Sequence, residues 1–192
     1  MEQWRVFCAI ELSSVVRSGI QKHVDFLRHA APEVQASWSR IENIHLTIKF
    51  FGSVATDRVP LISTAASRTA SSFHPFTISI SKAGVFPRMS QPRVVWIGVD
   101  DRKAMLAELQ QRFELECSAN GFEKETRSFS PHLTIARIRK PAGARALAEA
   151  NQQLGFEPES LLVEELVVFR SELSSGGSKY TALSRHPLGS VR

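Results

Sequence analysis

The sequence predicts an α+β fold in which two pseudo-symmetric lobes, each built on an antiparallel sheet, enclose a central cleft and carry their helices outside. Three observations lead there: an internal echo, the same order of elements around each copy, and a globular composition. Asn43-Ile44-His45-Leu46-Thr47-Ile48-Lys49-Phe50 reads NIHLTIKF and Ser130-Pro131-His132-Leu133-Thr134-Ile135-Ala136-Arg137 reads SPHLTIAR, so HLTI recurs 87 residues on. Self-similarity at a fixed offset marks a repeated supersecondary unit. Residues 5–10, RVFCAI, are echoed by residues 93–98, RVVWIG, at an offset of 88.

Both of these opening runs are β-branched or aromatic and read as buried strands. An amphipathic helix follows each. In the first, Val16, Ile20, Val24 and Leu27 recur at helical spacing, with Arg17, Gln21, Asp25 and Arg28 on the other face. In the second the stripe is Leu106, Leu109, Phe113 and Cys117, with Asp100 or Asp101 to cap its start and Gly121 to end it. Each helix leads on to an HLTI strand. Further strands are predicted at Phe76–Ala83, Leu161–Phe169 and Lys179–Leu183, further helices at 57–72 and 143–153, and a hairpin turn at Gly176-Gly177. No long linker interrupts the chain, so residues 1–192 are expected to form one bilobal domain.

With 192 residues, 43% hydrophobic and 22% charged, the chain has the balance of an ordinary globular protein. The two cysteines, Cys8 and Cys117, each fall on an apolar run and read as reduced core thiols; their spacing gives no zinc pattern. The opening Met1-Glu2-Gln3-Trp4-Arg5 and the early Glu11 do not read as a signal peptide, and no segment has the length of a membrane span. A cytoplasmic setting without membrane or obligate protein partner is expected. The net charge of +5 favours polyanions but, alone, does not single out nucleic acid.

The chemistry is read from the repeated motif. Alternation along a strand places His45 and Thr47 on one face and Leu46, Ile48 and Phe50 on the other; His132 and Thr134 stand likewise against Leu133 and Ile135. One such histidine would ordinarily be packing or surface. Two in the same context, both with a threonine on the face turned from the core, favour a site. Histidine takes or gives a proton near neutral pH, and in-line displacement at phosphorus needs a base on one side and an acid on the other. A threonine hydroxyl two residues on can donate to nonbridging phosphate oxygens.

These residues resemble the two-histidine phosphoesterase superfamily, and within it the bacterial and archaeal RNA 2′,3′-cyclic phosphodiesterases formerly described as 2′-5′ RNA ligases. The resemblance rests on RVFCAIEL, NIHLTIKFFG, PRVVWIGV, FSPHLTIAR and KYTALSRHPL, and so covers nearly the whole chain. It implies hydrolysis of RNA 2′,3′-cyclic phosphate ends to 2′-phosphates, without metal or other cofactor. It implies His45 as proton donor to the leaving oxygen, His132 as proton acceptor from water, and Thr47 and Thr134 as phosphate ligands. It also suggests a phosphate contact for Arg137. Strand parity puts Arg137 opposite His132, so this contact needs a strand end or bulge near Ala136; the other reading is a solvated arginine in the run Arg137, Arg139, Lys140.

For Phe7 and Trp96 two readings stand, stacking on a base or core packing. His23, His29, His74 and His186 have no repeated polar partner and read as structural or surface. The competing functions are ATP-independent 2′-5′ RNA ligation by the reverse reaction, phosphodiesterase action on another 2′-5′-linked or cyclic nucleotide, and a non-catalytic RNA-binding module. A metallohydrolase would call for a ligand pattern such as HExxH, which does not occur.

Overall fold

The computed structural model describes residues 2–174 and 177–189. Strand β1 (Gln3–Ile10) leads through helix α1 (Ser14–Ala30) to the short β2 (Ala36–Trp38), a 3₁₀ turn (Ile41–Asn43) and β3 (Leu46–Ala55). Helix α2 (Val59–Ala70) and strands β4 (Phe76–Phe86) and β5 (Val94–Asp100) follow. The chain then forms α3 (Met105–Ala119), β6 (His132–Ile138), α4 (Ala144–Leu154), β7 (Glu159–Val163), β8 (Glu165–Ser174) and β9 (Gly177–Pro187). All strand pairs are antiparallel, in two sheets ordered β3-β1-β8-β9 and β2-β6-β5-β4-β7. This is the predicted α+β architecture with a sheet in each lobe.

The helices sit where their apolar stripes require. In α1 the predicted Val16, Ile20, Val24 and Leu27 are all buried, Ser13 Oγ accepts from Val16 N, and Pro32 lies just beyond the end. In α3, Leu106, Leu109, Phe113 and Cys117 are all fully buried. Ala104, not an aspartate, occupies the N-cap position, yet Asp101 Oδ2 still accepts from Ala107 N in the first turn. The other end closes as predicted: Gly121 takes φ +76°, with Phe122 N bonded to Cys117 O and Gly121 N to Ser118 O. Both cysteines are free and buried, and burial pushes the Cys117 thiol up to about 12.

The lobes interlock. Helix α1 leaves the first sheet and packs against α4 and β7 of the second, while α3 leaves the second sheet and packs against α2 and β3 of the first. Strand β2 also crosses, pairing with β6. His23 on α1 donates through Nε2 to Asn151 Oδ1 on α4, and Asn151 Nδ2 in turn donates to Gly84 O and, at 3.4 Å, to Trp96 O in the second sheet. His23 thus has the structural role expected of it. One apolar core runs under both sheets, from Val6 and Leu46 to Ile97 and Leu133.

Three readings need correction. Residues Leu161–Phe169 are not one strand: the run breaks at Glu164, giving β7 to the second sheet and β8 to the first. An unbroken apolar run carries no mark of which sheet each half joins. The echo around the opening strands is in register at 87, not 88: Phe7 pairs with Phe50 as Val94 pairs with Arg137. Finally, Phe50 is not on the core side with Leu46 and Ile48 but 52% exposed on the other face, for a reason that bears on the site. Of the predicted turn, Gly176 lies outside the described residues; the flanking Ser174 and Gly177 pair.

Candidate active site

Each HLTI strand carries a bulge at the same place. Opposite β1, Ala9 pairs with Thr47 and Cys8 with Lys49, so Ile48 is extra. Opposite β5, Trp96 pairs with Thr134 and Val95 with Ala136, so Ile135 is extra. One extra residue reverses the facing of everything beyond it. Ile48 and Lys49 are therefore both buried on the core side, as are Ile135 and Ala136, and the next residues, Phe50 and Arg137, turn to the cleft. This settles the parity conflict over Arg137: the bulge puts it on the face of His132 and Thr134.

Those side chains meet. A pocket of about 200 Å³ is lined by His45, Thr47 and Phe50 from the first lobe, by His132, Thr134 and Arg137 from the second, and by Phe7, Ser39, Asn43 and Tyr180. It opens into a hollow of about 510 Å³ that shares Thr47, Phe50, His132, Thr134 and Arg137 with it and extends to Phe86, Glu114 and the loop of Glu125, Arg127 and Phe129.

The two histidines are held in the same manner. Nδ1 of His45 lies 2.8 Å from the Asn43 carbonyl, and Nδ1 of His132 lies 2.7 Å from the Ser130 carbonyl, in each case two residues upstream. A carbonyl only accepts, so Nδ1 carries the proton in both rings and Nε2 is left for proton transfer. For His45 the support runs further. Arg17 donates to Ile41 O and Leu12 O, fixing the 3₁₀ turn, and Asn43 Nδ2 donates to Ser178 O on β9. Ser39 Oγ, just beyond β2, donates to the Thr134 carbonyl on β6.

Aromatic rings back each imidazole. Phe7, only 1% exposed, stacks on His45 at 4.6 Å and belongs to a small cluster with Ala9, Val167 and Phe169 on the cleft side of its sheet. With that exposure it packs beneath His45 and does not present a face to a base. Tyr180 meets the His45 ring edge-on at 5.3 Å. Across the cleft, Phe86 meets His132 edge-on at 5.0 Å and leans on Trp96 at 5.2 Å. Trp96 lies directly over Gly84, where a Cβ would come within 2.4 Å of the indole, so only glycine leaves the ring room. Trp96 thus packs, half-buried, against Gly84 and Phe86.

Burial pushes His45 below the ordinary histidine range, with Arg17 adding to the effect while the Asn43 carbonyl and Glu11 oppose it. Glu114 is tied up by Lys49, whose Nζ lies 2.9 and 2.7 Å from its two oxygens. At the rim, hydrogen bonds from Arg127 hold Glu125 down to about 2, so these two charges satisfy each other. Arg137 lines the pocket together with both threonines. Among the described residues, no group of three or more His, Cys, Asp or Glu side chains is placed to hold a metal ion, and no helix is long and apolar enough to cross a membrane.

Sequence reasoning proposed His45, Thr47, His132 and Thr134 and left Arg137 open between two readings; the structure brings all five to one pocket. It missed Asn43 and Ser130, whose contribution is a main-chain carbonyl, as well as Tyr180, Phe86 and Arg17. Asn43 and Ser130 did carry one signal, their common position two residues before each histidine.

Two antiparallel sheets that each deliver a His-x-Thr face to one pocket define a two-histidine cleft protein. The family model of the 2′-5′ RNA ligase superfamily matches residues 18–174, and the chain belongs to that superfamily. It is 36% identical over 178 residues to an RNA 2′,3′-cyclic phosphodiesterase of Methanothermobacter thermautotrophicus, covering 92% of this chain and 95% of that one. To the Escherichia coli protein of the same description it is 28% identical, covering 97% and 98%. Among solved structures, TT0787 of Thermus thermophilus superposes with a TM-score of 0.79 at 23% identity, covering 98% of this chain and all of that one, a likeness of fold. Escherichia coli LigT without ligand superposes with a TM-score of 0.75 at 27% identity, covering 98% and 99%.

Proposed function

We propose that this protein hydrolyses the 2′,3′-cyclic phosphate ends of RNA. The observation that carries the reading is the pair of equivalent imidazoles, each with Nδ1 bound to a carbonyl two residues upstream and both lining one pocket with two threonines. Several relatives over most of the chain's length are RNA 2′,3′-cyclic phosphodiesterases, and LigT has been crystallised with 3′-AMP.

In this mechanism the cyclic phosphate sits between Thr47 and Thr134, whose hydroxyls donate to its nonbridging oxygens, and Arg137 balances its charge. Nε2 of His132 takes a proton from a water molecule as the water oxygen bonds to phosphorus. The P–O3′ bond breaks, and Nε2–H of His45 gives its proton to O3′, leaving a 2′-phosphate. The near-symmetry of the site does not by itself say which histidine is the acid; the roles follow the family resemblance. Burial disfavours the imidazolium at His45 in the free protein, and the anionic substrate supplies the compensating charge. Phe7 and Tyr180 hold the His45 ring in place. No step is assigned to a metal. The same proposal takes residues 1–192 as one bilobal unit, since neither half contains both histidines, and places it in the cytoplasm, in keeping with its two free thiols.

The test is the product. A short RNA ending in a 2′,3′-cyclic phosphate, incubated with the protein in EDTA, is expected to give a 2′-phosphate. A 3′-phosphate product would reverse the assigned leaving group, and no turnover would remove the reading.

A further inference from the structure

The chain's positive charge is concentrated in one place. The β4–β5 turn (residues 86–93, FPRMSQPR) and the segment from the end of β6 into α4 (residues 137–145, RIRKPAGAR) contain Arg88, Arg93, Arg137, Arg139, Lys140 and Arg145 and no acidic residue. Without these six cations the remaining 18 Lys and Arg face 19 Asp and Glu, so the rest of the chain is close to neutral. A net charge of +5 that looked unspecific in composition is a local feature of the second lobe.

These two segments form a second pocket, of about 240 Å³, rimmed by Arg93, Arg139, Lys140 and Arg145 over a floor that includes Ile138. Arg145 is engaged by Glu149 at 2.7 Å, and Arg139 donates to Ser37 Oγ on the strand edge opposite Arg137. The pocket shares no lining residue with the catalytic cleft but is lined by the residues next along both strands. Val94 and Arg137 pair in the sheet and line the cleft, and the next residues outward, Arg93 and Ile138, are joined by Ile138 N to Arg93 O at 2.9 Å and line the new pocket. The step from Arg137 to Arg139 is about 7 Å of strand.

A cyclic phosphate is the 3′ end of its strand, so the rest of an RNA must leave the cleft in the 5′ direction. We infer that it leaves over this pocket: Arg93, Arg139 and Lys140 bind the phosphodiesters immediately 5′ of the reacting end, and the apolar floor takes a base. This rests on the function proposed above, which already takes RNA as the substrate, and adds to it a binding subsite for the strand 5′ of the reacting end. Cations in a groove with an apolar surface are what an unpaired strand requires, because phosphates give affinity without sequence preference and each base offers a flat apolar face.

The test uses the full chain and the variant Arg93→Gln/Arg139→Gln/Lys140→Gln, which leaves the cleft residues intact. Turnover is measured on a nucleoside 2′,3′-cyclic phosphate and on an RNA of about ten nucleotides with the same end. Binding of that RNA with a plain 3′-hydroxyl is followed by fluorescence anisotropy across salt concentrations. The variant is expected to match wild type on the mononucleotide, to lose the gain in kcat/KM that length confers, and to show a log–log salt slope shallower by about 2, at roughly 0.7 per phosphate contact on a single strand. An unchanged slope and an unchanged length advantage would overturn the inference. So would an equal loss on the mononucleotide, which would mean that the substitutions act through the cleft. If wild type turned over neither substrate, the proposed function would fall, while the salt slopes would still decide the binding site.

Discussion

At the scale of single residues, the site depends on what fixes each imidazole. A main-chain carbonyl at Nδ1 sets the tautomer of His45 and of His132, and a ring packed against each limits its tilt. The environment of His45 gives a prediction with a definite sign. Burial lowers its pKa in the free protein, whereas a phosphate anion in the pocket favours the imidazolium and raises it. Activity is lost on the alkaline side as the acid deprotonates, and kcat/KM reports the free enzyme while kcat reports the complex. The alkaline limb of kcat should therefore lie at higher pH than that of kcat/KM. Coincident limbs, or the reverse order, would contradict the assignment of His45 as the acid.

At the scale of elements, the bulges decide most. Parity reasoning along a regular strand identified His45 with Thr47 and His132 with Thr134 correctly, because those pairs precede the bulge. It failed for Phe50 and left Arg137 undecided, because an inserted residue is a property of the pairing and leaves no mark in one strand's own sequence. The exchange of α1 and α3 between lobes was equally hidden: their stripes state that a face is buried, not against which sheet. Turning inward at the bulge also brings Lys49 into contact with Glu114 of α3, with side chains only 4% and 13% exposed. Lys49 Nζ further donates to Glu123 O, and Gln110 and Glu125 N point at the same carboxylate. Removing one member of such a pair strands the other charge. Lys49→Met should cost about 3–5 kcal/mol in urea denaturation, whereas Lys49→Met combined with Glu114→Leu should recover most of it. A single variant within about 0.5 kcal/mol of wild type would show that the pair does not clamp α3 to β3.

At the scale of the whole molecule, the duplication explains why the site lies between lobes. Each unit supplies one imidazole, one threonine and one residue beyond the bulge, and those last residues have diverged, to Phe50 in one lobe and Arg137 in the other. The echo made the two halves legible from sequence, and composition gave the globular class. That the halves exchange helices and that the excess charge gathers at the tip of one lobe emerged only from the arrangement in space. A cleft in which both histidines act in one displacement implies a particular pattern of losses. The most direct measurement is the single-turnover rate of cyclic phosphate hydrolysis by wild type, His45→Ala, His132→Ala and the double variant. Each single change should lower the rate about 10²–10⁴-fold, and the double variant should be little worse than the poorer single one, because groups that act as a unit are not additive. Losses that multiply in the double variant would mean the two histidines contribute independently, and an undiminished rate in either single variant would place the chemistry elsewhere.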